Sequence, residues 1–156
     1  MPRYYSQRAR LYSRPVSARI AIRLWLPPIL WTAVIFAGSS EQFSSGHSEP
    51  WLLTMINSII GHPLTPAQFG AIHFLIRKGS HLIEYGVLGA LLFRAFRAER
   101  GGWNTRWAMA AVAVAAAVGG LDEWHQVFVP SRTASVTDVV FDAASAALAQ
   151  MLFFRQ

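Results

Sequence analysis

Eight side chains in this sequence are of the kinds that hold ions or move protons: Lys78, His81, Glu84, Asp122, Glu123, Gln126, Arg132 and Asp138. They fall in short stretches at helical spacing. Lys78, His81 and Tyr85 stand at i, i+3 and i+7 and so share a helix face, with Glu84 one step round from His81. Asp122 and Gln126 are i, i+4, with Glu123 and His125 beside them, and Asp138 and Asp142 repeat that spacing beyond Arg132. Imidazole among carboxylates supplies general acid and base partners, while Lys and Arg can hold an anionic group such as a phosphate. His with acids is also a donor set for a divalent metal, although no His-Glu-x-x-His or paired-His spacing is present. Lys78 reads as an ion-pair partner rather than a nucleophile, and Ser131 as a loop residue rather than a catalytic serine. His47, His62 and His73 read as loop or interfacial residues. Tyr85 and Trp124 fit packing and ligand contact equally well.

The elements that must position these groups are strongly apolar. The chain has 156 residues, enough for one domain, of which 53% are hydrophobic and 14% charged, against about 25% charged in a typical soluble domain. A soluble protein of this size buries too small a share of its surface to hide so much apolar area. Six Trp and ten Phe suit membrane interfaces. The net charge of +6 is unevenly placed: Arg3, Arg8, Arg10, Arg14, Arg19 and Arg23 come first, and no acid appears before Glu41. A basic tail against an apolar span reads as a cytoplasmic anchor on anionic lipid. No aromatic platform or groove-reading motif accompanies it, which argues against nucleic acid as a partner. The absence of Cys excludes disulfides and thiolate metal sites. The long basic lead and the lack of a small-x-small cleavage site indicate an uncleaved first span.

The pattern predicts an all-α, polytopic membrane protein: four transmembrane helices plus a short interfacial helix, with residues 1–19 a basic cytoplasmic tail and 20–154 the transmembrane domain. The first span covers about 20–38 and contains Pro27 and Pro28, which would kink it. Trp51, Leu52, Met55, Ile56, Ile59 and Ile60 form one face of a helix too short to cross, stopped by Gly61 and Pro63. Thr65-Pro66-Ala67-Gln68 has the composition of a capping box with Pro at the first helical position. The second span is expected at about 73–93. The third starts near Trp107 and must take in Asp122, Glu123 and His125, because the uncharged run to Leu121 falls short of the roughly 20 residues a crossing needs. The fourth is expected at about 136–154.

Arg94, Arg97, Arg100 and Arg106 make the connection between spans two and three basic, whereas residues 41–70 and 130–135 hold few cations. The positive-inside rule then puts both termini in the cytoplasm, and the polar parts of spans two, three and four at one level in the outer half of the bilayer. Five of the eight acids fall there. Each ionised group costs at least about 2.5–3.5 kcal/mol at the bilayer centre. They must therefore converge inside the bundle or line a wet cavity. A purely structural ion-pair network is the plain alternative, but apolar packing would hold the spans together with less desolvation.

Two stretches carry a family resemblance. Arg77-Lys78-Gly79-Ser80-His81-Leu82-Ile83-Glu84-Tyr85-Gly86-Val87-Leu88-Gly89 resembles the first VanZ-family motif, basic-Lys-x-x-His-x-x-Glu-Tyr-x-x-Leu-Gly. Leu121 to Thr133 resembles the second, Asp-Glu-x-x-Gln-x-Phe-x-Pro-x-Arg, and Asp138 matches the acid that opens the last helix. The Ser39-Ser40 exit from the first span also fits, so the resemblance covers about residues 20–154. Two positions depart from the pattern: Ser131 stands where Gly often precedes the loop Arg, and Asp142 stands where Asn often follows the Asp by a turn. The resemblance implies a polytopic membrane protein, in a family whose founding member is associated with resistance to the glycopeptide teicoplanin; a role on the cell envelope follows from the charge reading, which places the polar groups in the outer half of the bilayer. The expected partners are the bilayer and a lipid-linked or glycopeptide envelope ligand, bound or acted on at the outward-facing polar site. A small proton- or cation-coupled transporter or channel is the rival expectation. Neither the motifs nor the composition names a cofactor.

Overall fold

The computed structural model describes residues 17–40, 45–130 and 134–151, and among these the regular elements are all helices. Helix α1 is Ala18–Gly38, α2 Ser45–Ile60, α3 Pro66–Arg97, α4 Thr105–Gln126 and α5 Val136–Gln150. The basic tail expected at 1–19 lies outside the described residues apart from its last three.

Local chemistry explains most boundaries. Ser17 caps α1 by accepting from the Ile20 N–H at 3.4 Å, and the helix runs on through Pro27 and Pro28. Helix α2 starts earlier than the expected Trp51 and incorporates Pro50; Gly61, at φ +82°, follows its last turn. Helix α3 starts where the Thr65–Gln68 cap predicts and is longer than the span expected at 73–93. The Thr65–Gln68 capping box is formed in both directions, which starts the helix at Pro66. Arg94 and Arg97 then prolong the last turn, where cations oppose the negative end of the helix dipole. At 32 residues α3 is about 48 Å long, more than the hydrocarbon core requires. Asn104 caps α4 by accepting from the Arg106 N–H at 2.9 Å. Helix α5 ends at Gln150, short of the expected residue 154; residues 152–156 lie outside the described set.

Helices α3, α4 and α5 form the core of the molecule, most closely between α3 and α5, and α1 leans against α3. The indole N–H of Trp31 on α1 donates to the Glu84 carbonyl on α3 at 2.8 Å. Tyr85, Leu88, Leu92 and Phe93 of α3 pack with Ala108, Ala111 and Ala115 of α4 and Ala146 of α5. Small residues set the approach: a Cβ on Gly89 would lie 2.6–2.7 Å from three atoms of Ala146, two of them backbone. Gly89→Val should therefore force α3 and α5 apart and destabilise by about 1–3 kcal/mol. Gly86→Ala, whose Cβ meets nothing closer than 3.8 Å, should be tolerated. Thermal unfolding of the detergent-solubilised protein measures both.

Beside this apolar core a set of polar side chains is buried, and large apolar side chains cover the outside. His81, Asp122, Glu123, Gln126, Asp138, Asp142, Ser145 and Gln150 are buried, whereas Ile29 and Leu30, Leu75 and Ile83, Met109 and Trp124, and Val136 and Val140 are exposed on their respective helices. The inward face of α5 is mostly polar and its outward face apolar. By length and apolarity alone, however, α1 is the one helix among the described residues able to cross a membrane. The expected four spans are not met by that measure, for a physical reason. Helix α3 carries Arg77, Lys78 and Glu84, α4 ends in acids, and α5 has 15 residues. Helix α2 makes at most marginal contact with the other helices and leaves Trp51, Met55, Ile59 and Ile60 exposed.

Candidate functional site

Helices α3 and α5 run in the same direction and meet turn by turn. In the first turn of α5, Asp138 lies between two cations of α3: Lys78 Nζ donates to Oδ1, and Arg77 Nη2 donates to Oδ2 at 3.3 Å. One turn deeper on both helices, His81 Nδ1 lies 2.9 Å from Asp142 Oδ1. With Asp142 ionised, Nδ1 carries the proton and donates, which leaves Nε2 as the free nitrogen of the ring. Another turn on, the Tyr85 ring stacks against His81 with centroids 6.0 Å apart.

Helix α4 supplies the third wall. Its buried face of Ala108, Ala111, Ala115 and Gly119 continues into Asp122 and Gln126. Gly119 leaves room there: a Cβ would lie 3.0 Å from Asp142 Oδ2 and 3.5 Å from the Tyr85 ring, so the Asp142 carboxylate would have to shift. Gln126 Nε2 donates to Asp122 Oδ2 at 2.9 Å, and Glu123 Oε2 accepts the Ser135 N–H at 2.6 Å, tying the end of α4 to the start of α5. Ligand atoms of His81, Glu123 and Asp138 lie within 4.8 Å of one another, so these are the residues able to share a metal ion.

The site holds more polar groups than it pairs. Tyr85 OH, Asp122 Oδ1, Glu123 Oε1, Gln126 Oε1 and Asp142 Oδ2 are buried and find no hydrogen-bond partner among the described residues. An unsatisfied buried group costs about 1–3 kcal/mol. Five of them in one place is a concentration that folding alone does not select. Arg77 and Lys78 keep 26% and 25% of their side-chain area exposed, whereas Asp138 beneath them keeps 5%. The arrangement is a cationic rim over an acidic floor.

Of the residues singled out in the sequence, Lys78, His81, Glu123 and Asp138 are brought together directly, and Asp122 with Gln126 forms the adjoining pair on α4. Glu84 is half-buried and within electrostatic reach of His81 and Tyr85. Arg132, with Ser131 and Thr133, lies outside the described residues. Among the more doubtful positions, Trp124 is exposed and packs edge-on against Phe128. Two contributors are absent from the sequence-derived site list. Arg77 was visible as the basic partner of Lys78, and Asp142 as the acid one turn beyond Asp138.

The family model VanZ/LLP1 matches residues 24–155. The chain belongs to the VanZ/LLP1 family. The match takes in α1 through α5 almost whole, so every residue of the polar cluster is part of the VanZ/LLP1 region. No curated protein and no solved structure matches the chain.

Proposed function

We propose that this VanZ/LLP1 chain is a four-span membrane protein of the cell envelope whose polar site opens to the outer side and receives an anionic, lipid-linked envelope component. The observation that carries this reading is the burial pattern: ionisable groups line part of the interface of α3, α4 and α5 while large apolar side chains cover the outside. Lipid is the solvent for which that arrangement is stable. On this reading α1, α3, α4 and α5 span, and α2 lies along the interface with its exposed apolar residues in the headgroup region.

The rim cations Arg77 and Lys78 engage the anionic group, and Arg132 belongs to the connection on the same side. Beneath them Glu84 and Asp122 are placed to exchange protons with whatever the rim holds. Arg94, Arg97, Arg100 and Arg106 lie at the other end of the bundle, which favours a cytoplasmic position for that end and an outward position for the site. A link to glycopeptide resistance rests on family membership.

Topology is the most direct test. The chain has no Cys, so single replacements report cleanly. Ser58→Cys should react in intact cells with a membrane-impermeant thiol reagent, and Gly101→Cys should react only after permeabilisation. The opposite pattern would turn the site towards the cytoplasm and end the envelope reading. Binding of lipid vesicles or nanodiscs with anionic headgroups, compared with zwitterionic ones, tests the ligand class. Uptake of a labelled cation into proteoliposomes would instead favour the transport reading.

A further inference from the structure

We propose that His81, Glu123 and Asp138 form a divalent transition-metal site at the floor of this pocket, with Asp142 orienting the imidazole. The proposal rests on the pocket reading above and adds the ion that completes it. Three observations converge. The donor set is one imidazole and two carboxylates, buried, with ligand atoms within 4.8 Å of one another. Glu123 is 6% exposed, its Oε2 is occupied by the Ser135 N–H, and its Oε1 has no partner among the described residues. His81 turns Nδ1 to the Asp142 carboxylate at 2.9 Å, which leaves Nε2 to coordinate. A carboxylate on the second nitrogen is the usual support of a metal-binding histidine, because it fixes the tautomer and raises ligand basicity.

Charge points the same way. Among the described residues Arg77 and Lys78 both pair with Asp138, and neither Glu123 nor Asp142 has a Lys or Arg within ion-pair distance. A divalent ion beside these carboxylates would offset their charge. The ion pairs of Asp138 do not exclude coordination, since each carboxylate oxygen has two lone pairs. Three protein ligands leave a position open, as in catalytic rather than structural zinc sites. That position would take an anionic oxygen held by the rim cations. This arrangement removes His81 from proton transfer and leaves that role to Glu84 and Asp122.

The test uses the full chain purified in detergent, stripped with chelator and dialysed against Zn²⁺ or Co²⁺ alone. The expected result is one ion per chain, with Co²⁺ absorption bands reporting nitrogen–oxygen coordination. Asp142→Asn should weaken binding by about 10- to 100-fold, keep the stoichiometry and shift the Co²⁺ bands. Glu123→Gln, nearly isosteric, should reduce binding by more than that, and His81→Ala should abolish it. Failure of the wild-type protein to bind either ion at millimolar concentration would overturn the proposal without recourse to any variant. So would binding undiminished in Glu123→Gln, which would place the ion away from this donor set. Metal binding needs neither an outward orientation nor an envelope ligand. Stoichiometric metal with no affinity for anionic lipid would therefore sink the ligand reading and keep the metal site, and lipid binding by a chain that takes up no metal would do the reverse.

Discussion

Asp138→Asn should lower the melting temperature of the solubilised protein more than any other single neutralisation in the polar cluster. Asp138 is the acid clamped by two cations, Lys78 and Arg77, and it bridges α5 to α3 at the end of the bundle where α5 begins. Removing one partner of a buried pair costs about 3–5 kcal/mol, because the remaining charge is left uncompensated. Here both cations keep about a quarter of their side-chain area open, so solvent recovers part of that loss and the low end of the range is expected. The double replacement Lys78→Met with Asp138→Leu should recover much of the stability, since two apolar groups leave less to desolvate. A double variant as unstable as Asp138→Asn would mean that the loss comes from Arg77 or from packing rather than from Lys78 left uncompensated.

Asp122→Asn should behave in the opposite way: stability unchanged or slightly raised, function abolished. Among the described residues Asp122 touches no cation, and the hydrogen bond it accepts comes from Gln126 Nε2. The oxygen of Asn can still accept that bond, so little is lost structurally. Asp122 shares the pocket with Asp142, Glu84 and Glu123, all within electrostatic reach of Tyr85, and neutralising it relieves like-charge crowding. The functional readouts are survival of a host expressing the chain in teicoplanin, and binding of anionic lipid by the purified protein. Thermal unfolding on the same preparations separates the two effects. If Asp122→Asn unfolds the protein as badly as Asp138→Asn, the cluster is a fold determinant and its residues are not a site.

The contrast between Asp138 and Asp122 also marks where reading the sequence ends. Helical spacing placed Lys78, His81 and Tyr85 on one face and Asp138 with Asp142 on another, and these faces do point inward. The Thr65–Gln68 cap was equally plain, because it is local. Periodicity assigns faces but not partners. Nothing in spacing says that His81 meets Asp142 rather than Asp138, or that the Ser135 N–H is given to Glu123. Arg77 and Asp142 were in view, and they acquire a role only when α3 and α5 are seen to run side by side. Hydropathy undershot the length of α3: the Thr65–Gln68 cap starts the helix before the apolar stretch, and Arg94 and Arg97 carry it past the end. Gly119 offered no signal of its own, since its importance lies in the room it leaves for an atom of another helix.

The polar inner face of α5 has a consequence for how such a chain is made. Asp138, Asp142 and Gln150 take their partners from α3 and α4, through Lys78, Arg77, His81 and the Ala108 carbonyl, whereas the Ser145 hydroxyl donates to the Phe141 carbonyl of α5 itself. Presented alone to lipid, a 15-residue helix with two carboxylates would carry about 2.5–3.5 kcal/mol of penalty for each ionised group near the bilayer centre. Helix α5 is the last of the five to leave the ribosome. On the four-span reading, its partition from the translocon into the bilayer depends on the earlier helices waiting beside it, with the cations of α3 already in place. Biogenesis is then coupled to the same side chains as the site, and truncation before residue 136 would remove the Asp138 partner of Arg77 and Lys78.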